Sequence, residues 1–369
     1  MSEEQNLSAP DALNIDGTKP HRRRVRYAGT HPRNFTEKYK ELNPDKYSED
    51  VCKVMARGQT PAGMHRSICV DEILRILKLQ PGQRGLDATF GFGGHSQKIL
   101  ERIAPSGRLM VLDVDPLELP KSEARLRALG YTEDQLVVRR MNFAGIQKAC
   151  GEFGEPFQFV LADLGVSSMQ IDNPERGFSF KVDGPLDLRL NPARGKPASE
   201  FLRGLSAIKL EEMLIENADE PHAQIIAKAM HHALHDPAGT GLPTTRALRN
   251  CIATALGFLP ISEQKEEVKK SCQRSFQAIR IVINEEYSAL DQFLAHLPEC
   301  LAPGARVAIL SFHSGEDRRV KKSFQHFCRE GIYQSFARDP IRPSLEEQRD
   351  NPRSSCAKLR WAIMANPTG

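Results

Sequence analysis

Several classes of protein are excluded by what this chain contains little of. Its 369 residues include one tryptophan, and aromatic residues make up only 7%. No apolar run approaches the ~20 residues of a membrane-spanning helix, and the N-terminus lacks the apolar core of a signal peptide. Hydrophobic and charged residues make up 40% and 27% of the chain, as in ordinary globular proteins. We therefore expect a soluble, cytoplasmic protein without a membrane partner.

The eight cysteines form no familiar framework. None is arranged as Cys-x-x-Cys, so the sequence predicts reduced thiols and neither a disulfide scaffold nor a zinc site. His231 and His235 have the spacing that metal-binding helices use, but no carboxylate or cysteine motif accompanies them. We expect these histidines on a solvated helix face, and we expect no metal.

The excess of positive charge is small, at +4, but basic residues gather at 21–26, 318–322 and 349–360. Any one such cluster is commonly a solvated surface. Three clusters around a cofactor site favour a polyanionic substrate.

The hydrophobic pattern predicts an α/β protein interrupted by a helical insertion. We expect a largely disordered basic leader (1–50), a first α/β part (51–171), a helical insertion (172–275) and a second α/β part (276–369). The connections leave room for crossover helices, which favours a parallel, doubly wound sheet. Strand candidates are a run ending at 87, then 109–113, 136–140, 157–163, 305–312 and 358–364, the last paired antiparallel with 332–336. Helix candidates are 70–79, 199–205, 207–216, 221–234, 245–256 and one long amphipathic helix over 275–301.

The most informative motif is Arg84-Gly-Leu-Asp-Ala-Thr-Phe-Gly-Phe-Gly-Gly-His-Ser96. An apolar run ends at Asp87, a turn containing Gly93 and Gly94 follows, and an amphipathic helix begins. Glycines there let the backbone approach a nucleotide-like cofactor, and Asp113 after the next apolar run is placed to bind a ribose hydroxyl. A carboxylate at Asp87 would repel a pyrophosphate but suits the cationic amino-acid end of S-adenosylmethionine. The motif therefore favours a methyltransferase over a dehydrogenase.

Two further polar strings follow strands and are expected at the same rim of the sheet. Asp163 begins a loop after the fourth strand, where ligands bind in open α/β sheets, and is a candidate for contacting both cofactor and substrate. His313, Glu316 and Asp317 follow the fifth strand and offer proton-accepting groups, although the same string also fits the start of a helix. Arg176 stands between polar and aromatic residues, a setting suited to contact with phosphate or a base.

Taken together, these strings closely resemble the bacterial 16S ribosomal RNA (cytosine-N4) methyltransferases. The similarity runs in order over about residues 65 to 364. The matching strings are Asp87-Ala-Thr-Phe-Gly-Phe-Gly-Gly-His-Ser96, Asp163-Leu-Gly-Val-Ser-Ser168, Asn173-Pro-Glu-Arg-Gly-Phe-Ser-Phe180, Asp183-Gly-Pro-Leu-Asp-Leu-Arg189, Phe276-Gln-Ala-Ile-Arg-Ile281, Ser311-Phe-His-Ser314 and Asn351-Pro-Arg-Ser354.

The resemblance implies a class I, Rossmann-like methyltransferase fold with an inserted helical substrate-recognition domain. It also implies S-adenosyl-L-methionine as the methyl donor and a cytidine in the decoding region of 16S rRNA as the acceptor. Because the insertion is large enough to recognise shape, we expect the substrate to be an assembled or nearly assembled small subunit. Asp163 is the first choice for polarising the cytosine amine, with His313 or Asp317 orienting the base. By match, cofactor contacts fall on Gly93, Gly94, His95, Asp113, Phe143 (against the adenine), Asp163 and Gln170.

Three departures from the family pattern lie on or near the substrate side. Met169 and Gly315 stand where the family usually has proline and leucine, and residues 269–275 lack the usual His-Pro-Ala-Thr-Arg. Two alternatives therefore stay open. One is a DNA amino-methyltransferase. Those enzymes have (Asp/Asn/Ser)-Pro-Pro-(Tyr/Phe) after the fourth strand, and Asp163-Leu-Gly-Val lacks both prolines and the aromatic residue. The other is a non-catalytic RNA-binding or assembly factor that retains cofactor binding. The oligomeric state also stays open, a homodimer included.

Overall fold

The computed structural model describes residues 67–237 and 239–366. The expected leader, its basic cluster at 21–26 and the start of the first α/β part lie outside the described residues.

A mixed seven-stranded sheet forms the centre of the described part. Its strands are β1 (Arg84–Asp87), β2 (Arg108–Asp113), β3 (Leu136–Arg140), β4 (Phe157–Asp163), β5 (Leu301–Ser311), β6 (Tyr333–Phe336) and β7 (Lys358–Met364). They are ordered β3-β2-β1-β4-β5-β7-β6. Strands β1 to β5 pair in parallel, and β7 pairs antiparallel with both β5 and β6. The predicted parallel sheet and its antiparallel edge are confirmed.

Helices cover both faces of this sheet because successive strand residues point to opposite sides. The helices are α1 (Val70–Leu77), α2 (Gly94–Ile103), α3 (Leu119–Ala128), α4 (Ile146–Phe153), α5 (Ser168–Asp172), α6 (Ala198–Phe201), α7 (Ala207–Ala218), α8 (Ala223–His235), α9 (Thr245–Ala255), α10 (Ile261–Ile283), α11 (Glu286–His296), α12 (Ser314–Arg329) and α13 (Leu345–Asp350). Side chains of α1, α2 and α3 share one apolar core with alternate strand residues. Side chains of α4, α11 and α12 share the other. The sheet is therefore doubly wound, as expected.

A third apolar core lies within the helical segment between β4 and β5. It runs from Phe178 to Ile279 along the chain and is built mainly from α7, α8, α9 and α10. We propose that this core defines the inserted domain. Because Phe276 and Ile279 belong to it, α10 contributes to the insertion beyond the boundary expected at residue 275.

The prediction of one long helix over 275–301 is wrong. The chain instead forms α10, breaks at Asn284 and resumes as α11, with Glu285 in the left-handed region at φ 51°. The Asn284 side chain ends α10 because it accepts from Leu190 N at 2.7 Å and donates to Leu188 O at 2.8 Å. The apolar stripe continues across the break, so periodicity alone does not reveal it. Leu301, the last residue of the predicted helix, already belongs to β5.

Two predicted helices are shorter than expected. The segment 199–205 is one turn of α6 followed by a 3₁₀ turn at Leu202–Gly204. Helix α1 ends at Leu77 because Lys78 takes the left-handed conformation. Within the described residues, no helix is both long and apolar enough to span a bilayer. The seven cysteines described there are free thiols.

Candidate active site at the carboxyl ends of the strands

The glycine loop lies between β1 and α2 and is tied to the end of β2. The Gly91 backbone N–H donates to Asp113 Oδ2 at 2.8 Å, and the Asp115 N–H donates to Asp113 Oδ1 at 2.9 Å. Gly91 has φ 50°, and the nearest atom to an added Cβ there is Thr89 O at 3.9 Å. The loop is therefore open on the side where Gly91 lacks a side chain. Burial raises the pKa of Asp113 to about 6.

Gly93 is needed for a different reason. It has φ 79°, and a Cβ there would lie 2.8 Å from the Phe90 ring and 3.0 Å from Arg125 Nη2. A Cβ on Gly94 would collide with Ser67 Oγ. These two glycines let the loop fold tightly onto its own chain at the start of α2.

Two side chains of α3 donate hydrogen bonds to backbone carbonyls of the glycine loop, and neither was predicted from the sequence. Ser122 Oγ donates to Gly91 O at 2.6 Å. Arg125 donates to Phe92 O and to Gln97 Oε1, and its guanidinium lies 4.2 Å from the centroid of the Phe92 ring. The sequence did carry one indication of this contact: a serine and an arginine lie one turn apart on a helix that covers the sheet.

Asp87 holds the two ends of the loop together inside the protein. Its Oδ2 accepts from Ser96 Oγ at 2.6 Å, and its Oδ1 accepts from Thr89 N at 3.1 Å. Burial raises the pKa of this carboxyl, against the effect of those donors. Its predicted contact with the amino-acid end of the methyl donor stays a prediction.

Asp163 ends β4 directly beside the loop. Its backbone N–H donates to Thr89 Oγ1, which joins the ends of β1 and β4. The carboxylate Oδ2 lies 3.5 Å from His95 Nδ1. Oδ1 is buried and has no hydrogen-bond partner among the described residues. Burial raises the pKa of Asp163 to about 6, although the charge of His95 opposes that rise.

Gln170 and Arg176 both converge on Asp115, a buried residue that sequence reasoning did not single out. Gln170 Nε2 donates to Asp115 Oδ2 at 2.7 Å, while Gln170 Oε1 accepts from Ser167 N in a capping box. Arg176 Nη1 donates to the same Asp115 oxygen at 2.8 Å. The suggestion that Arg176 contacts phosphate or a base is wrong, because its side chain is only 5% exposed and is committed to internal partners. The predicted cofactor contact of Gln170 stays a prediction.

His313 and Glu316 form a compact pair at the end of β5. His313 caps α12, where its Nδ1 accepts from Glu316 N. Glu316 Oε2 accepts from Phe312 N at 2.8 Å, and Oε1 lies 3.1 Å from His313 Nε2. Burial alone would raise the pKa of Glu316, but the hydrogen bond and charge of His313 and the charge of Arg280 hold it below its usual value.

Asp317 faces the sheet edge instead. Its carboxylate lies 2.6 Å from Arg360 Nε and 3.3 Å from Lys358 Nζ, both on β7. Burial opposes them, but these two cations hold the pKa of Asp317 below its usual value. A carboxylate so paired is a weak proton acceptor, so we give Asp317 no catalytic part in the function proposed below.

Phe143 lies in a 3₁₀ turn after β3, next to the carboxyl end of β2. Its ring packs edge-on against Phe293, with centroids 5.4 Å apart. The ring is half-buried, so one part remains available to a ligand. Its predicted stacking on adenine stays a prediction.

This arrangement defines a class of protein. An open glycine loop, an acid at the end of β2 and a second acid at the end of β4 meet where the strand order reverses, which is the ligand-binding edge of open α/β sheets. No pyrophosphate-binding Gly-x-Gly-x-x-Gly is present in the loop, and the surrounding carboxylates fit a donor with a cationic end. Together with the antiparallel β7, these features are those of a class I methyltransferase.

Comparison with known proteins gives the family. The model of the MraW methylase family matches residues 62–364. Ribosomal RNA small subunit methyltransferase H 2 of Alkaliphilus metalliredigens is 57% identical over 93% of this chain and 97% of its own length. Ribosomal RNA small subunit methyltransferase H 1 of Lachnoclostridium phytofermentans is 54% identical over 94% of this chain and 93% of its own length. The chain belongs to the MraW methylase family, which confirms the predicted enzyme class and S-adenosylmethionine as the methyl donor.

Proposed function

We propose that this protein methylates the exocyclic N4 amine of a cytidine in small-subunit ribosomal RNA. The names of its relatives support an rRNA of the small subunit as substrate. The observation that carries the proposed chemistry is the partly exposed carboxylate of Asp163 beside the open glycine loop.

The loop and the acid after β2 would hold the methyl donor. Gly91 leaves room for close approach, Asp113 offers carboxylate oxygens to ribose hydroxyls, and the first N–H groups of α2 point toward the loop. When bound, S-adenosylmethionine supplies an electrophilic methyl group on a sulfonium.

The protein must then place and activate the amine. The cytosine N4 is a weak nucleophile because its lone pair is delocalised into the ring, so in-line positioning is the main requirement. As the nitrogen gains a methyl group it loses a proton, and the Asp163 carboxylate accepts that proton. His313 lies at the end of β5, next to β4 in the sheet, and orients the base. The target base must leave its stack to reach this site.

The substrate surface includes the exposed basic side chains of α12, Arg318, Lys321 and Lys322. Of the C-terminal basic cluster, Arg353 pairs with Asp172, and Lys358 and Arg360 pair with Asp317. We therefore leave these three out of the RNA-facing surface, contrary to the expectation from sequence. An assembled or nearly assembled small subunit in the cytoplasm is the proposed substrate, because one cytidine in naked RNA offers little to recognise.

Transfer of a labelled methyl group tests this function. The protein is incubated with labelled S-adenosylmethionine and small subunits from cells lacking the enzyme, and the RNA nucleosides are analysed by mass spectrometry. We expect N4-methylcytidine at one site. Equal labelling of unrelated single-stranded DNA would instead favour the DNA methyltransferase, and cofactor binding without any transfer would favour the non-catalytic assembly factor.

A further inference from the structure

His95 is buried, and both of its ring nitrogens face groups of the protein. Nε2 lies 2.9 Å from the carbonyl oxygen of Ile68, and Nδ1 lies 3.5 Å from Asp163 Oδ2. A carbonyl only accepts hydrogen bonds, so Nε2 must carry a proton. In a neutral imidazole with that tautomer, Nδ1 has a bare lone pair.

That lone pair would face an oxygen of Asp163, whose side chain is 28% exposed, whereas the His95 side chain is only 8% exposed. Two acceptors turned toward each other without a proton between them repel, and the repulsion is strongest where the dielectric is low. The contact is favourable once a proton lies between Nδ1 and Oδ2. The contact is therefore favourable when the pair holds one proton more than a neutral imidazole and an ionised carboxylate.

The groups around the pair favour retention of that proton. The charges of Asp87 on β1 and Glu316 on α12 act on Asp163, and the charge of His95 acts on Glu347 of α13. Asp87 also lies within range of the His95 charge, and the buried thiol of Cys69 faces Asp163. The ionised carboxylates among these neighbours attract a positive charge on the ring, and the thiol of Cys69 is neutral.

We propose that His95 is a positioning residue that holds one proton on Nδ1 and thereby keeps Asp163 ready as a base. This inference rests on the proposed function. The proton on Nδ1 points toward Oδ2, so the carboxylate stays ionised beside a charged imidazolium, and Oδ1 has no hydrogen-bond partner among the described residues. When the methylated nitrogen gives up its proton, that proton goes to the Asp163 carboxylate. The pair then carries two protons and returns one to water before the next turnover.

The pH profile of His95→Gln tests this role. Glutamine keeps hydrogen-bonding groups but removes the charge, so the carboxyl of Asp163 should ionise at higher pH. We expect the acid limb of kcat to move up by about one pH unit, with activity recovering toward the wild-type value at high pH. His232→Gln, at an exposed histidine of α8, is the matched control and should leave the profile unchanged. A uniformly reduced kcat with an unmoved acid limb would overturn the proposal and leave His95 a structural residue.

A titration that does not depend on activity separates this inference from the proposed function. Carbon-13 NMR of the Asp163 carboxyl should give a higher midpoint in His95→Gln than in the wild type. Nitrogen-15 shifts of His95 in the wild type should show a protonated Nδ1 at neutral pH, which needs no variant to fold. A bare Nδ1 facing an ionised Asp163 there would refute the shared proton. A wild type that shows the shared proton but methylates no RNA would refute only the proposed function.

Discussion

Arg176 and Asp115 form an ion pair inside the protein, with Nη1 and Oδ2 2.8 Å apart and both side chains at most 5% exposed. Asp115 follows β2, whereas Arg176 lies after α5 at the entry to the helical segment. Arg176 also donates to the carbonyl oxygens of Arg189 and Leu190. The pair therefore connects the rim of the sheet to the chain that leads into the insertion.

Removing the arginine should be costly because it leaves a buried carboxylate without a counter-charge. We expect Arg176→Met to lower the free energy of unfolding by about 3–5 kcal/mol, measured by denaturant titration. Arg194→Met, at an exposed arginine of the same segment, should change it by less than about 0.5 kcal/mol. Equal effects of the two substitutions would show that the pair contributes nothing to stability.

Asp113 should matter for cofactor binding in two ways. Its carboxylate is placed for ribose hydroxyls, and it also fixes the Gly91 N–H. We expect Asp113→Ala to weaken binding of S-adenosylmethionine by about 1–3 kcal/mol, measured by calorimetry, while NAD binds to neither protein. Asp134→Ala, in the exposed turn before β3, is the control and should bind as the wild type does. Unchanged affinity in Asp113→Ala would remove Asp113 from the site.

Asp163 should act as a base only when it is ionised. Because burial raises its pKa to about 6, wild-type kcat should fall as the pH drops through about 6 and the carboxyl takes up a proton. Asp163→Asn should keep the fold and lose most turnover at every pH, with cofactor affinity measured separately. Full turnover in that variant would leave His313 as the next candidate.

The regular elements of the sheet could be predicted from the sequence because each strand is an apolar run that ends at a polar rim. Residues 157–163 and 136–140 form β4 and β3 as expected, and the edge pair β6–β7 also forms. The break at Asn284 could not be predicted, because an asparagine in an amphipathic stripe ends a helix only when distant backbone needs its side chain. Here that backbone is Leu188 and Leu190.

The position of the site could also be predicted from the sequence, because its residues follow predicted strands. Residues that follow strands, such as Asp113 and Asp163, meet at one edge because parallel strands present their ends together. Charge partners were not predictable, since Arg360 meets Asp317 only through the antiparallel pairing of β7 with β5. Arg360, which was predicted to belong to a phosphate-binding cluster, therefore forms an internal ion pair instead.

The basic face of α12 should contribute to RNA binding. Lys321→Glu with Lys322→Glu should lower affinity for the small subunit and reduce the dependence of binding on salt, since phosphate contacts release counterions. Affinity for S-adenosylmethionine should not change. Lys121→Glu with Lys148→Glu carries the same charge reversal at exposed lysines of α3 and α4. If both double variants lose RNA affinity equally, overall charge rather than α12 accounts for the binding.

Gly315 is explained by its neighbour Tyr287. A Cβ at Gly315 would collide with Tyr287 Oη, and that ring is held by a hydrogen bond to Asn217 O and by Arg319, 3.7 Å from its centroid. The leucine that the family usually has here would therefore collide with a tyrosine on α11. We expect Gly315→Ala to lower the free energy of unfolding by about 1–3 kcal/mol through overpacking.

The same change should cost little once Tyr287 is shortened. In a Tyr287→Ala background Gly315→Ala should be close to neutral, so the double-mutant cycle should give a coupling of about 1 kcal/mol or more. Gly151→Ala is the matched control, because it too is a helical glycine and an added Cβ meets no atom within 4 Å. It should be neutral or slightly stabilising, since alanine favours a helix over glycine by about 1 kcal/mol. Additive effects at 315 and 287 would show that Tyr287 does not require glycine at the start of α12.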